Sequence, residues 1–240
     1  MKYAVVIPAA GQSSRFAGSR KKPFEELDGR AIWLRTVEHF ESRDDVSEVV
    51  LVLADDDIAE FKERFHGNLA FLNVQVAVGG SSRAESVLNG IRALQQPADF
   101  VAVHDAARPL LTRQWISEIF AAAAEKGAVV PGIPVSSTVK KVDDAGRVCE
   151  TIDRSNLRLA QTPQVFNRKM LEEAFASAGD LTLLTDEASV LESAGKPVFV
   201  HEGWPMNIKI TTQDDLSIAE AFLKALPTQG GLGNVGLFDD

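Results

Sequence analysis

The chain has 240 residues, of which 45% are hydrophobic and 25% charged, a composition typical of a soluble globular protein with one substantial domain. Its formal net charge of -9 at pH 7 argues against general nucleic-acid binding, which requires positive surface patches. No apolar stretch approaches the ~20 residues of a membrane span, and because the N-terminus enters a strand at once, a signal peptide is not expected. The single cysteine, Cys149, excludes an intramolecular disulfide. We therefore expect a cytoplasmic protein.

Apolar runs and amphipathic segments alternate along the chain. The patterns predict strands over residues 4–7, 48–53, 74–78, 100–104, 128–131 and 198–202, and helices over residues 31–40, 57–65, 82–94, 114–126, 168–178, 186–194 and 212–225. Because the strands are apolar on both faces, they are typical of a mostly parallel sheet covered by helices on both sides. The fold class expected is therefore α/β and Rossmann-like.

The alternation is interrupted between residues 134 and 163. Two β-rich runs at residues 139–142 and 148–152 flank the turn-forming segment Asp143-Asp144-Ala145-Gly146-Arg147. This pattern predicts a β-hairpin arm inserted into a single domain that spans residues 1–226. The glycine-rich residues 227–240 are expected to form a flexible tail.

The loop after the first strand has the composition of an anion-binding loop. Small residues at positions 9–14 let backbone N–H groups approach a ligand, and Arg15 and Lys22 follow within a basic segment. Neither GxxxxGK[ST] nor GxGxxG occurs, so the usual ATPase and dinucleotide-binding interpretations lose their main support. The loop instead favours a triphosphate site of another type.

Two further loops with chemically competent side chains follow predicted strands. They are Gly79-Gly80-Ser81-Ser82-Arg83-Ala84-Glu85-Ser86 and Asp105-Ala106-Ala107-Arg108-Pro109. Ligands of parallel sheets bind at the carboxyl ends of the strands, so these loops are expected to share one edge with the first loop. Asp105 is suited to hold Mg²⁺ against a triphosphate, although a carboxylate after a strand can also serve only as a turn or helix cap. His104 is interpreted as a packing residue.

The motifs resemble a known family. The segment from Val5 to Phe24 resembles the signature of sugar nucleotidyltransferases. Four later motifs, in order, resemble those of the 2-C-methyl-D-erythritol 4-phosphate cytidylyltransferases: Val103-His104-Asp105-Ala106-Ala107-Arg108-Pro109, Thr162-Pro163-Gln164, Thr185-Asp186-Glu187-Ala188-Ser189 and Asn207-Ile208-Lys209-Ile210-Thr211. The resemblance covers residues 4–226. It implies a nucleotide-diphospho-sugar transferase fold and transfer of CMP from CTP to a polyol phosphate.

The resemblance also implies roles for individual residues. The catalytic group would comprise Arg15, Lys22, Arg154 and Lys209. Nucleotide contacts would come from Pro8, Ala9, Ala10, Gly11, Gly80, Arg83, Ser86, Asp105 and Ala106. Acceptor contacts would come from Arg108, Thr138, Arg154, Thr162, Thr185 and Lys209, and Asp105 would bind Mg²⁺ or another divalent cation. Many members read Pro-Lys-Gln where this chain has Lys21-Lys22-Pro23, and the register to Phe24 favours Lys22 over Lys21.

Thr138 and Arg154 lie in the predicted arm, which in the family reaches into the site of a neighbouring subunit. The resemblance therefore implies a homodimer with composite active sites, and neither nucleic acid nor membrane is expected as a partner.

Two other functions remain open at this stage. A cytidylyltransferase for another polyol phosphate, such as ribitol 5-phosphate, would share most of the motifs, and Trp204-Pro205-Met206 before Asn207 departs from the residues expected there. An inactive nucleotide-binding scaffold would keep the fold but lose Arg15, Lys22, Asp105 or Lys209. All four are present.

Overall fold

The computed structural model describes residues 1–11 and 24–226, which are built around an eight-stranded sheet. The strands are β1 (Tyr3–Pro8), β2 (Glu26–Leu27), β3 (Arg30–Ala31), β4 (Val46–Leu53), β5 (Val74–Val78), β6 (Phe100–Val103), β7 (Ala128–Pro134), β8 (Val139–Val142), β9 (Val148–Ile152), β10 (Arg158–Ala160), β11 (Gln164–Asn167) and β12 (Phe199–Glu202). The helices are α1 (Ile32–Glu41), α2 (Asp55–Leu69), α3 (Arg83–Arg92), α4 (Arg113–Lys126), α5 (Arg168–Ser177), α6 (Glu187–Ser193) and α7 (Gln213–Ala225).

The central strands are buried on both faces, as their apolar sequences predict. In β1, Val5 and Ile7 belong to the core on the face covered by α1, α2 and α4, whereas Val6 belongs to the core on the opposite face, which is covered by α3, α5 and α6. This alternation follows from the two-residue repeat of a strand. Helices therefore cover both faces of the sheet, and the predicted α/β class is confirmed.

The strand order in the sheet is β10–β7–β11–β6–β1–β4–β5, with β12 paired to β7. Strands β6, β1, β4 and β5 are parallel, and β12 is parallel to β7. The chain runs outward from β1 to β4 and β5 and then crosses back to place β6 on the other side of β1. Such a reversal leaves a crevice at the carboxyl ends of the strands, where ligands of open α/β sheets bind.

Strand β11 was not anticipated from the sequence. It lies antiparallel between β6 and β7, and its residues Val165 and Phe166 are fully buried. The sheet is therefore mixed, with its antiparallel pairs on one side of β6.

The predicted hairpin arm is present as a separate two-stranded sheet of β8 and β9. In its turn, Gly146 has a φ of 78°, a left-handed conformation that favours glycine. The side chains of Val142 and Val148, which face each other in the pair, are 53% and 56% exposed. An isolated two-stranded ribbon is marginally stable in water, so these apolar side chains mark a surface on which another chain could pack.

Helix α7 closes the described chain by packing Leu216 and Ala219 against Leu27, Leu110 and Ile210. In the described ranges, no helix combines the length and the hydrophobicity needed to cross a bilayer. The tail predicted over residues 227–240 lies outside the described residues.

Candidate active site

The loops that follow β1, β5 and β6 meet at the crevice, as the sequence predicted. A side-chain carbon added at Gly79 would lie 2.7 Å from the Cβ of Ala10, so the loops after β1 and β5 are in close contact. The backbone N–H of Ala9 donates to the carbonyl of Val52 (2.8 Å), which holds the first loop against β4. Glycine at position 79 is thus required by packing rather than by its own flexibility.

The loop between β5 and α3 is held closed by hydroxyl and carboxylate groups. The Ser86 hydroxyl accepts from the Gly80 N–H (3.0 Å) and donates to the Ser82 carbonyl (2.8 Å). Ser82 also caps α3 by accepting from the Glu85 N–H (3.1 Å). A Cβ at Gly80 would collide with the Glu85 side chain. These contacts present the backbone of Gly80 at the crevice, where a nucleotide base could approach it closely.

Asp105 is the centre of a buried charge cluster. Its carboxylate lies 2.8 Å from Lys209 Nζ, 3.2 Å from Arg83 Nη2 and 3.5 Å from Arg108 Nε. We call these four residues the Asp105 cluster. Burial alone would raise the pKa of Asp105, but the charges of Lys209, Arg83 and Arg108 outweigh it and hold that pKa well below its usual range. The carboxylate is therefore ionised at neutral pH.

A chain of hydrogen bonds through His104 and Thr162, in which each donor and acceptor is defined, holds the backbone at Asp105. His104 Nε2 lies 2.9 Å from the carbonyl of Arg108, which can only accept, so Nε2 carries the proton. The other nitrogen, Nδ1, then accepts from the Thr162 hydroxyl (3.1 Å), and that hydroxyl oxygen accepts from the Asp105 N–H (3.1 Å). Burial lowers the pKa of His104 to about 3, so its imidazole is neutral and the chain keeps one direction.

The segment that carries Lys209 is tied to the same region. The backbone carbonyl of Asn207 accepts from Arg108 Nη1 (2.7 Å) and from Gln161 Nε2 (3.2 Å), while Asn207 Nδ2 donates to the Thr162 carbonyl (2.8 Å). Asn207 is completely buried. Lys209 is thereby held at the crevice although its own side chain is 42% exposed.

Both terminal nitrogens of the Arg83 guanidinium contact carboxylates. Its Nη1 lies 2.6 Å from Glu187 Oε1, and its Nη2 faces Asp105. Arg83 was predicted to contact the nucleotide, and the structure gives it these two partners. The sequence did not identify Glu187 as a site residue, because a carboxylate in the first turn of a helix is most often exposed.

The other predicted site residues lie near the ends of β1 and β6, before α6 and in the hairpin arm. Ala106 is buried and its carbonyl accepts from the Thr36 hydroxyl (2.9 Å), while Pro8 ends β1. Thr185 is exposed and lies two residues before the start of α6. Thr138 and Arg154 are exposed in the arm, where Arg154 donates to the Ser136 carbonyl.

Among residues 1–11 and 24–226, no hydrogen bond joins Thr138 or Arg154 to the Asp105 cluster. The predicted catalytic residues Arg15 and Lys22 lie outside the described residues, so the structure does not place them. The part of the predicted site that the structure brings together is therefore the glycine loops and the Asp105 cluster.

Comparison with known proteins gives consistent matches over nearly all of the chain. Residues 3–225 match the family model for 2-C-methyl-D-erythritol 4-phosphate cytidylyltransferase. The enzyme of that name from Bacillus licheniformis is 39% identical over 226 residues, which is 94% of this chain and 97% of the relative.

Solved structures agree with the sequence matches. A crystal structure of 4-diphosphocytidyl-2C-methyl-D-erythritol synthase superimposes with a TM-score of 0.78 at 29% identity, covering 92% of this chain and 98% of the other. The 2-C-methyl-D-erythritol 4-phosphate cytidylyltransferase of Thermus thermophilus superimposes with a TM-score of 0.76 at 30% identity, covering 93% and 100%.

Proposed function

The chain belongs to the 2-C-methyl-D-erythritol 4-phosphate cytidylyltransferase family, and we propose that its Asp105 cluster binds the phosphate of the acceptor. The protein is a nucleotidyltransferase that transfers CMP from CTP to 2-C-methyl-D-erythritol 4-phosphate, a step of isoprenoid precursor synthesis. The products are 4-diphosphocytidyl-2-C-methyl-D-erythritol and pyrophosphate. The observation that carries the proposal is the ion pair of Lys209 with Asp105 (2.8 Å) at the carboxyl edge of β6.

The main obstacles to the reaction are the repulsion between its anionic groups and the alignment of the acceptor with the α-phosphorus of CTP. A phosphate oxygen of the acceptor attacks the α-phosphorus of CTP in line, a new P–O bond forms, and the bond to pyrophosphate breaks. Nucleophile and leaving group are both anions, so cations must neutralise and orient them. Lys209 and Arg108 would orient the acceptor phosphate, since each has part of its charge compensated by Asp105 and is held in place before substrate arrives.

The remaining catalytic cations are proposed from the sequence. Arg15 and Lys22 would stabilise the five-coordinate α-phosphate and the departing pyrophosphate. Arginine offers a planar fork to two oxygens and lysine a compact point charge, so the two side chains are complementary.

Recognition of cytosine is assigned to the loop after β5 together with the loop after β1. Closely spaced backbone groups at Ala10, Gly11 and Gly80 can read the donor and acceptor edge of the base. The hydrogen bonds of Ser86 support the geometry that this requires. Replacement of CTP by UTP should therefore lower kcat/KM, because the exocyclic amine of cytosine becomes a carbonyl oxygen.

Asp105 supplies an ionised carboxylate, the type of ligand that Mg²⁺ prefers, and because its oxygens already contact Arg83, Lys209 and Arg108, a bound ion would have to share or replace one of these contacts. In the described ranges no group of three or more His, Cys, Asp or Glu side chains could hold a metal ion. Mg²⁺ commonly takes one or two carboxylates and completes its shell with substrate phosphates and water, so Asp105 and the triphosphate would suffice. When bound, the ion would neutralise charge on the triphosphate. Addition of EDTA should abolish turnover, and turnover unaffected by EDTA would contradict the assignment.

The homodimer predicted from the sequence is part of the proposal. The hairpin arm carries the exposed valines Val142 and Val148 and two polar site candidates, Thr138 and Arg154. Packing on a second copy would bury the valines and could carry the polar residues into the neighbouring site. The cytoplasmic location remains a prediction.

The proposed reaction is tested by identifying its product. The purified full chain is incubated with CTP, Mg²⁺ and 2-C-methyl-D-erythritol 4-phosphate, and the mixture is analysed by ³¹P NMR. Parallel reactions contain ribitol 5-phosphate as acceptor or ATP as donor. The expected result is a cytidine diphosphate ester and pyrophosphate in the first reaction only. Equal product from ribitol 5-phosphate would instead favour the other polyol-phosphate cytidylyltransferase.

A further inference from the structure

The buried carboxylate of Glu187 contacts the Asp105 cluster through Arg83. Glu187, the first residue of α6, is 0% exposed, and its Oε1 accepts from Arg83 Nη1 at 2.6 Å. The other end of the same guanidinium reaches Asp105 Oδ1 at 3.2 Å. Two ion pairs that share Arg83, one with Glu187 and one with Asp105, therefore connect the start of α6 to the crevice.

The position of Glu187 is set by the backbone and not by Arg83. Asp186 caps α6, and Gln164 of β11 holds the same turn by donating to Asp186 Oδ2 (2.8 Å) and accepting from the Ala188 N–H (3.1 Å). The start of α6 is therefore fixed to the central sheet. Because Glu187 is fixed, it determines the direction in which the flexible Arg83 side chain points.

Holding Glu187 in this position is energetically costly. Burial raises the pKa of Glu187, and the Arg83 charge opposes that shift. The second carboxylate oxygen, Oε2, is buried and has no hydrogen-bond partner among the described residues. Replacing the Glu187–Arg83 pair as a whole by apolar side chains would avoid both penalties, so the pair is weak evidence that the carboxylate is there for stability. Its effect on Arg83 offers another explanation.

Arg83 and Lys209 contact different oxygens of the same carboxylate. Asp105 presents Oδ1 to Arg83, while Oδ2 contacts Lys209 at 2.8 Å and Arg108 at 3.5 Å. A guanidinium free of Glu187 could turn both of its nitrogens onto Asp105 in the bidentate geometry that arginine prefers. That rotation would displace Lys209. By engaging Nη1, Glu187 leaves Asp105 Oδ2 available to Lys209.

We propose that Glu187 is a positioning residue, which through Arg83 fixes the Asp105 carboxylate so that Lys209 is held for the acceptor phosphate. The proposal rests on the proposed function, since the acceptor phosphate is the ligand that Lys209 binds there. It goes beyond that function by assigning a task to a residue that does not touch substrate.

The test compares Glu187→Gln with the matched control Glu192→Gln. Glu192 lies on the same helix but is exposed, so the same chemical change there removes no negative charge paired with Arg83. Glu187→Gln should lower kcat/KM for the acceptor about tenfold or more, because small misplacements of a binding group cost that much. KM for CTP should change by less than this loss, because the loops that would hold the base are untouched, and the control should match the wild type. A purely structural role would reduce the amount of active enzyme without this split.

A double variant tests whether the effect passes through Asp105. In an Asp105→Asn background, Glu187→Gln should cause little further loss, whereas multiplied losses would contradict the proposal. Arg83→Lys, whose single ammonium group lacks the planar fork that reaches both carboxylates, should reproduce the kinetic split if Glu187→Gln folds poorly.

A crystal structure of Glu187→Gln gives a readout that does not depend on turnover. It should show the Lys209–Asp105 contact lengthened beyond hydrogen-bond distance, and an unchanged contact would overturn the proposal. An inactive wild type would contradict the proposed function, while the crystal structure would still decide the role of Glu187.

Discussion

At the scale of single residues, one carboxylate organises three cations. Asp105 is 7% exposed, yet it stays ionised because Lys209, Arg83 and Arg108 surround it. If Glu187 is ionised as well, three positive and two negative charges leave one net positive charge beside the crevice. The cluster is thus preorganised to receive a phosphate without an uncompensated buried charge.

The neutral state of His104 leads to a prediction for stability against pH. Burial lowers its folded-state pKa to about 3, whereas the pKa in the unfolded chain is about 6.5. Between these values the unfolded state binds a proton that the folded state does not, so the free energy of unfolding should fall as pH is lowered through this window. The slope from this residue is at most about 1.4 kcal/mol per pH unit. The Asp105 contribution is lost only below about pH 4, since its unfolded pKa is about 3.9.

Denaturant unfolding between pH 7 and pH 4.5 checks this prediction in three proteins. The pH slope should be smaller in His104→Asn than in the wild type, and His66→Asn is the matched control because it makes the same change at an exposed histidine. His39, whose pKa burial also lowers, adds a slope of the same sign in all three. Equal slopes in His104→Asn and wild type would contradict the assignment of a neutral buried imidazole.

The sequence predicted the residues of the Asp105 cluster but not their supports. Asp105, Arg108 and Lys209 stand in recognisable motifs after predicted strands. Glu187, Gln161 and Asn207 act through contacts with residues 43 to 104 positions away in the chain, and no local pattern reveals such contacts. Thr162 was predicted to contact the acceptor, and its hydroxyl is engaged by His104 and the Asp105 N–H.

At the scale of elements, the alternating pattern predicted the helices and the parallel strands, but not β10 or β11. Strand β11 has only four residues, and Gln164 and Asn167 give it no continuous apolar run. Its strand conformation comes from pairing with β6 and β7, a tertiary effect. The hairpin arm was predictable because its turn chemistry is local.

The packing of α3 on the sheet depends on Gly90. A Cβ there would lie 2.5 Å from Val6 Cγ1 and 2.8 Å from Val52 Cγ2. Gly90→Ala should therefore lower the free energy of unfolding by about 1–3 kcal/mol, although alanine is the better helix former.

Gly67→Ala in α2 is the matched control, because nothing lies within 4 Å of its added Cβ. It should raise stability by up to about 1 kcal/mol. Urea denaturation measures both variants, and a stabilised Gly90→Ala would show that α3 can move away from the sheet at little cost.

At the scale of the whole molecule, the described chain leaves one part of the proposed site incomplete. Arg154 and Thr138 project on an exposed arm and make no hydrogen bond to the Asp105 cluster among the described residues. A site shared between two copies would explain why these polar residues and the exposed valines occur on the same hairpin.

Mixing two inactive variants tests the shared site. Arg154→Ala and Lys22→Ala should each have little activity alone, since each removes a proposed catalytic charge. If Arg154 acts in the partner's site, one of the two sites in a mixed dimer inherits both intact residues. Free exchange at equal concentrations should then restore about one quarter of wild-type activity. A fully active monomer in sedimentation, together with no rescue on mixing, would contradict the homodimer.

Binding of the acceptor phosphate at the Asp105 cluster is tested most directly by pyrophosphate release from wild type and Lys209→Gln. The rate is measured at saturating CTP while 2-C-methyl-D-erythritol 4-phosphate is varied, and then with the two substrates exchanged. Loss of the Lys209 charge should lower kcat/KM for the acceptor by about 10²-fold and leave KM for CTP within about twofold. A Lys209→Gln variant with wild-type kcat/KM for the acceptor would contradict the assignment of this cluster to the acceptor phosphate.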